Sequence, residues 1–236
     1  MRQIRVALVG DRDVRVIAHQ GIEKSLTLWS GLSRHAMEWD WLATRALAAE
    51  GYDLSRYDAF WCVPASPYKS QSGAIKAIFH ARTANKPFLG TCGGCQHAIL
   101  EYARNALGLE NADHAESNPD ASLPLISALS CSLVEVESEV FFTAGSVVER
   151  IYGKGKANEP YHCRYGLNPA LEHLLKESEL RICGRDIHGE ARAFEIGRQG
   201  FYILTQYQPE RSALTGTIHP IVEAFLRAAE GQVPAR

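Results

Sequence analysis

At 236 residues and 46% hydrophobic side chains, the chain can build one large α/β domain or two small ones around a sizeable core. A formal net charge of −2 leaves no basic footprint for nucleic acid or an anionic membrane, so neither is expected as a partner. Six scattered cysteines (Cys62, Cys92, Cys95, Cys131, Cys163, Cys183) read as reduced thiols, because a disulfide framework belongs to shorter, denser chains.

Ile4 to Val9, apolar except for Arg5, is a run of the kind found in buried parallel strands, far too short to span a membrane before polar Asp11, Arg12 and Asp13. With no signal peptide read there, the expected compartment is the cytosol. His19 to Leu32 follows with helical spacing at Ile22, Leu26 and Trp29, and Ala36 to Leu42 is a second strand. Asp58 to Val63 is a third strand, Ser70 to Ala84 a helix with Ile75, Ile78 and Phe79 on its apolar side, and Phe88 to Thr91 a fourth strand. A helix from Gly94 to Leu107 comes next. This order implies a doubly wound, mostly parallel sheet flanked by helices, with ligands beyond the carboxyl ends of the strands.

The second half changes character. Asn111 to Pro124 is polar and reads as a loop, while Leu133 to Phe142, Arg181 to Ile187, Ala191 to Ile196 and Phe201 to Gln206 read as strands that extend the sheet in antiparallel fashion. A closing helix starts at Pro220. With no repeat, low-complexity tract or linker, residues 1–236 are expected to form a single domain.

The segment Lys86-Pro87-Phe88-Leu89-Gly90-Thr91-Cys92-Gly93-Gly94-Cys95-Gln96 reads as a strand, a sharp turn and a helix with Cys92 at the turn. Its glycines allow positive φ and close approach, and the helix start favours a thiolate and a developing oxyanion. Cys92 is the candidate nucleophile. Cys92-Gly93-Gly94-Cys95 is also a Cys-x-x-Cys at a strand–helix junction, which could alternate between dithiol and disulfide; the competing expectation is that Cys95 fills an apolar position.

Gly90-Thr91-Cys92-Gly93-Gly94-Cys95-Gln96 is similar to the Gly-x-Cys-x-Gly-x-Gln elbow of class I glutamine amidotransferases. Ile99 to Leu109 resembles the helix after that elbow in the C-terminal glutaminase domain of CTP synthase. Arg164-Tyr165-Gly166-Leu167-Asn168-Pro169 resembles its Arg-Tyr-Glu-Val-Asn stretch, and Thr205-Gln206-Tyr207-Gln208-Pro209-Glu210 its Thr-Gln-Phe-His-Pro-Glu. The resemblance implies the amidotransferase fold, a flavodoxin-like sheet, with Cys92 as nucleophile and Glu210 as the carboxylate that orients a base. It implies that Gln96, Glu116, Arg164 and Tyr165 hold the amino-acid end of a glutamine-like substrate, where a carboxylate suits an α-ammonium and an arginine an α-carboxylate.

Two departures stand beside these matches. Gln208 occupies the place of the family's histidine base, and a neutral amide cannot take and return a proton near neutral pH. Val63-Pro64-Ala65-Ser66-Pro67-Tyr68 replaces Val-Pro-Gly-Gly-Phe-Gly, so the oxyanion donors fall to the amides of Ala65, Ser66 and Gly93. His97, His162 and His219 are the sequence-level candidates for a substitute base.

Three functions remain open from the sequence: cysteine-dependent hydrolysis of glutamine or a related amide or γ-glutamyl compound, an inactive amino-acid-binding or regulatory module, and a thiol/disulfide protein. No Gly-x-x-x-x-Gly-Lys-[Ser/Thr] loop occurs, so CTP synthesis would need a separate synthetase or other ammonia-accepting partner. No cofactor is implied, and no Cys/His spacing suits a structural metal. Self-association is left open.

Overall fold

The computed structural model describes residues 2–232. Along the chain run β1 (Gln3–Val9), α1 (Ile17–Ser30), β2 (Ala36–Leu42), α2 (Thr44–Ala48), β3 (Ala59–Cys62), α3 (Gln71–Thr83), β4 (Phe88–Thr91) and α4 (Gly93–Asn105). Then come β5 (Ala112–His114), β6 (Leu123–Phe142), α5 (Val147–Tyr152), β7 (Lys156–Leu167), β8 (Leu180–Arg185), β9 (Ala191–Ile196), β10 (Tyr202–Thr205) and α6 (Pro220–Ala229). Short 3-10 turns cover Pro169–Leu175 and Pro209–Thr215.

The strands form one sheet in the order β2-β1-β3-β4-β10-β9-β8-β6-β5, with β7 paired to β6. β2 through β10 on that path are mutually parallel, and the path then turns antiparallel through β9, β8 and β6. Burial follows position. β3, β4 and β10 are covered on both faces and buried at every residue, whereas edge strand β2 alternates between exposed and half-buried positions until Leu42.

Two apolar layers lie on opposite faces. One packs α3 and α4 against Phe60, Phe88 and Tyr202; the other packs α1 and α6 against Leu8, Trp61 and Ile203. Helix α1 presents Ala18, Ile22, Leu26 and Trp29 on one stripe, the spacing that makes an amphipathic helix bury that face. Each such large side chain contributes roughly 1.5 to 3 kcal/mol on burial. Arg82 and Glu101 tie α3 to α4 by two hydrogen bonds of 2.8 and 2.7 Å, the Glu101 carboxylate being fully buried.

The expected strands at 36–42, 88–91 and 191–196 stand where the sequence put them. The expected loop from Asn111 to Pro124 instead contains β5 and the first residues of β6. β6 runs for 20 residues, so the strand expected at Leu133 is only its second half. β7, on which Arg164 lies, was not anticipated: Pro160 and the buried Glu159 obscure an inward alternation of Ala157, Glu159, Tyr161 and Cys163. Helices α2 and α5 are too short to signal themselves. Asp11 holds α2 by accepting from the Thr44 amide and hydroxyl, and Ser146 with Glu195 caps the first amides of α5.

Candidate functional site

Cys92 sits between β4 and α4 with φ 50° and ψ −110°, a region that L residues rarely occupy. The glycines on either side were expected to supply the positive φ, but the cysteine itself adopts it, and Gly90, Gly93 and Gly94 serve close approach instead. A Cβ on Gly94 would lie 1.9 Å from the Cys62 carbonyl oxygen and 2.5 Å from its carbon, both backbone atoms of β3. Gly94→Ala should therefore destabilise the protein by about 3 kcal/mol by forcing α4 off β3. Urea midpoints of the two proteins measure this, and an unchanged midpoint would mean that α4 can shift freely.

The Cys92 amide donates to the Thr205 carbonyl at 2.8 Å, which pins the elbow to the end of β10. Its thiol faces the carbonyl of His162 at 3.5 Å. A side-chain hydrogen bond with Cys163, then burial, push the Cys92 pKa well above the ordinary thiol value, against a smaller opposite pull from the Gly93 amide. The resting group is a thiol.

Five segments close around it at the carboxyl edge of the parallel strands: residues 15–18 after β1, 64–66 after β3, Cys92 after β4, residues 208–211 after β10, and residues 162–165 of β7. Glu116 and Glu135 complete a cavity of about 480 Å³. The structure thus brings together Cys92, Ala65, Ser66, Gln96, Glu116, His162, Arg164, Tyr165 and Gln208 from the sequence-based set.

Each side chain has a distinct state. Arg164 is exposed and has no ion-pair or hydrogen-bond partner among the described residues, and Glu116 holds a buried carboxylate oxygen, Oε2, without one. Gln96 is buried and largely committed. It donates to the Tyr165 carbonyl at 2.6 Å and accepts from His114 Nε2 at 3.0 Å. Burial pushes His114 down to about 3, so it stays neutral, and because its Nδ1 accepts from the Glu116 amide its proton lies on Nε2. Ala65 adopts φ 76° where the related glycine would be unstrained, and the Ser66 amide lies 3.1 Å from the site of a Cβ on Gly93.

The three candidate bases separate cleanly. His97 is buried, bonds the Gly93 carbonyl at 2.8 Å, is held down to about 4 by burial, and packs on Tyr68 outside the cavity. His219 caps α6 and bonds Glu159 at 3.2 Å, also outside the cavity. Only His162 lines it. Its Nδ1 meets Glu135 Oε1 at 2.7 Å, while Glu135 Oε2 accepts from Arg211 at 2.7 Å.

Among the described residues no histidine stands against Glu210. Both carboxyl oxygens are buried without a partner in regular hydrogen-bond geometry, and burial pushes its pKa up to about 8. Gln208 is buried and lines the cavity, and its amide bonds the Pro160 carbonyl at 2.9 Å. The sequence reading missed Glu135, Cys163 and Arg211 as cavity residues. Glu135 stands at φ 52° where the β6–β7 register shifts, which nothing in the sequence announces, whereas Cys163 sits beside Arg164 and was open to inspection. Among the described residues no group of three or more His, Cys, Asp or Glu could hold a metal, and no helix is long and apolar enough to cross a membrane.

No protein-family model matches the chain. It is similar to the CTP synthase of Caldivirga maquilingensis, 32% identical over 216 residues that cover 83% of this chain and 40% of that protein. It is 26% identical over 251 residues to the CTP synthase of Methanocaldococcus jannaschii, covering 98% of this chain and 46% of the other. The chain spans under half the length of these relatives. Among solved structures, a Trypanosoma brucei CTPS glutaminase domain with bound acivicin superposes with a TM-score of 0.86 at 19% identity, over 98% of this chain and 96% of that one. A Thermotoga maritima glutamine amidotransferase gives 0.63 at 12% identity over the whole of both chains.

Proposed function

The chain is a class I glutamine amidotransferase-like protein related to the glutaminase domain of CTP synthase, and on that premise we propose that it hydrolyses glutamine or a related γ-glutamyl amide through Cys92. The observation that supports this most is the pairing, in one cavity with the thiol, of an arginine and a carboxylate oxygen that both lack partners. An α-amino acid brings the complement: a carboxylate for Arg164 and an ammonium for Glu116.

In this reading His162, not Gln208, moves the proton. Its imidazole lines the cavity with Nδ1 held by Glu135, which leaves Nε2 as the ring nitrogen available for proton transfer. The Cys92 sulfur attacks the carboxamide carbon, the thiol proton passes to His162 and then to the departing ammonia, and a thioester forms. Water deprotonated by His162 breaks the thioester and releases the acid. The amides of Gly93, Ala65 and Ser66 face the oxyanion. Any acceptor of the ammonia, such as a separate synthetase, is part of the same proposal.

Intact-protein mass spectrometry after incubation with glutamine, γ-glutamyl compounds or a glutamine-like electrophile, beside Cys92→Ala, tests this. A transient acyl adduct and product acid are expected. Binding of the amino acid with neither adduct nor product would instead establish an amino-acid-binding module, the reading favoured by the raised Cys92 pKa and by Gln208.

A further inference from the structure

The cysteine that shares the cavity with Cys92 is not its sequence neighbour. Cys95 is fully buried in the apolar layer beneath α4, and burial pushes its thiol well up. Cys62 is buried against Tyr68, Cys183 belongs to the layer on the other face, and Cys131 is exposed. Cys163 comes from β7, 71 positions along the chain from Cys92, and both line the cavity.

Main-chain anchors place the two sulfurs together. The Cys92 thiol meets the carbonyl of His162, the residue just before Cys163, at 3.5 Å. The Cys92 amide bonds the Thr205 carbonyl at 2.8 Å, and the Cys163 thiol donates to the next carbonyl, that of Gln206, at 3.1 Å. The Cys92 backbone and the Cys163 thiol are thus both tied to the carboxyl end of β10, and each cysteine is nearly covered, at 6% and 3% exposure. No other cysteine shares these anchors.

We propose that Cys92 and Cys163 are a two-cysteine redox pair that closes into a disulfide across the cavity floor when the protein meets a hydroperoxide. The Cys92 sulfur attacks the distal peroxide oxygen: an S–O bond forms, the O–O bond breaks, and with hydrogen peroxide one water leaves as Cys92 becomes a sulfenic acid. The Cys163 sulfur then attacks the Cys92 sulfur, forming S–S and breaking S–O, and its thiol proton leaves with the departing hydroxide as a second water. Two thiols lose two electrons and the peroxide gains them. The disulfide removes the nucleophile and ties β7 to the elbow, so the same cavity is open for acyl chemistry only when reduced.

The test reads mass, and so is independent of whether any amide is turned over. The native protein is treated with stoichiometric hydrogen peroxide, alkylated, digested and fragmented to assign bridges. The expected result is a cross-linked pair holding Cys92 and Cys163, lighter by two hydrogens and lost on reduction. It should persist in Cys95→Ser and vanish in Cys163→Ser, a variant that keeps a donor for the Gln206 carbonyl, with Cys92 then captured by dimedone as the sulfenic acid that one equivalent of peroxide produces. A Cys92–Cys95 bridge, or Cys92 and Cys163 both recovered alkylated while Cys131 oxidises, would overturn the proposal. Cys163→Ala supplies the same reading should the serine variant fold poorly.

Discussion

Replacing His162 by alanine is expected to lower amide turnover by about 10²- to 10⁴-fold, the usual loss when a positioned acid/base group is removed. The expectation rests on elimination as much as on contact. His97 is locked against Gly93 and held neutral, His219 is spent on capping α6, and His162 alone combines a place in the cavity with a carboxylate on Nδ1. The loss should fall on kcat, with amino-acid binding through Arg164 and Glu116 retained, and exogenous imidazole should restore part of it. Glu135→Gln should give a smaller loss and move the pH–rate profile, since it acts through the orientation of the ring. Unchanged turnover in His162→Ala, His97→Ala and His219→Ala would remove the substitute-base idea.

Glu210→Gln is expected to stabilise the protein at alkaline pH, by several kcal/mol and at most about 5. The sign follows from burial. Burial pushes the Glu210 carboxyl from its ordinary 4.5 up to about 8 in the folded chain, because desolvation disfavours its charged form. Below about pH 4.5 it is neutral in both states and costs nothing. As pH rises from there to about 8, the unfolded chain releases the proton while the folded one retains it, so stability falls across that window and levels off above it. Glutamine has no proton to lose. Urea midpoints of the two proteins at about pH 4.5 and about pH 8.5 should diverge only at the higher value, and a difference that is the same at both would show that Glu210 is already ionised in the fold.

Glu210 also shows where reading the chain reached its limit. The Thr-Gln-x-x-Pro-Glu match places it after β10, yet the sequence does not say what the carboxyl meets there: Gln208 stands two positions earlier where the related motif has histidine, and neither carboxyl oxygen has a partner in regular hydrogen-bond geometry. The parallel strands were legible because burial on both faces writes them as short unbroken apolar runs, such as Phe88–Thr91. β7 was not, since a strand that buries Glu159 and carries Pro160 violates the patterns by which strands are recognised. The elbow, with Cys92 at its turn, was legible in the glycine-lined strand-to-helix segment. The thiol and carboxylate that face it were not, because Cys163 and Glu135 reach the cavity through β6–β7 pairing, and only three-dimensional register brings residues so far apart in sequence to one wall.

The backbone at Cys92 gives the elbow a meaning of its own. Holding an L residue at φ 50° and ψ −110° costs of order 1 to 3 kcal/mol, a strain that the packing of α4 on β3 and β10 sustains. Glycine would fit that backbone without penalty and would bring no sulfur. The most stable sequence for this fold therefore differs from the present one at position 92, where the chain carries a sulfur atom at a conformational cost.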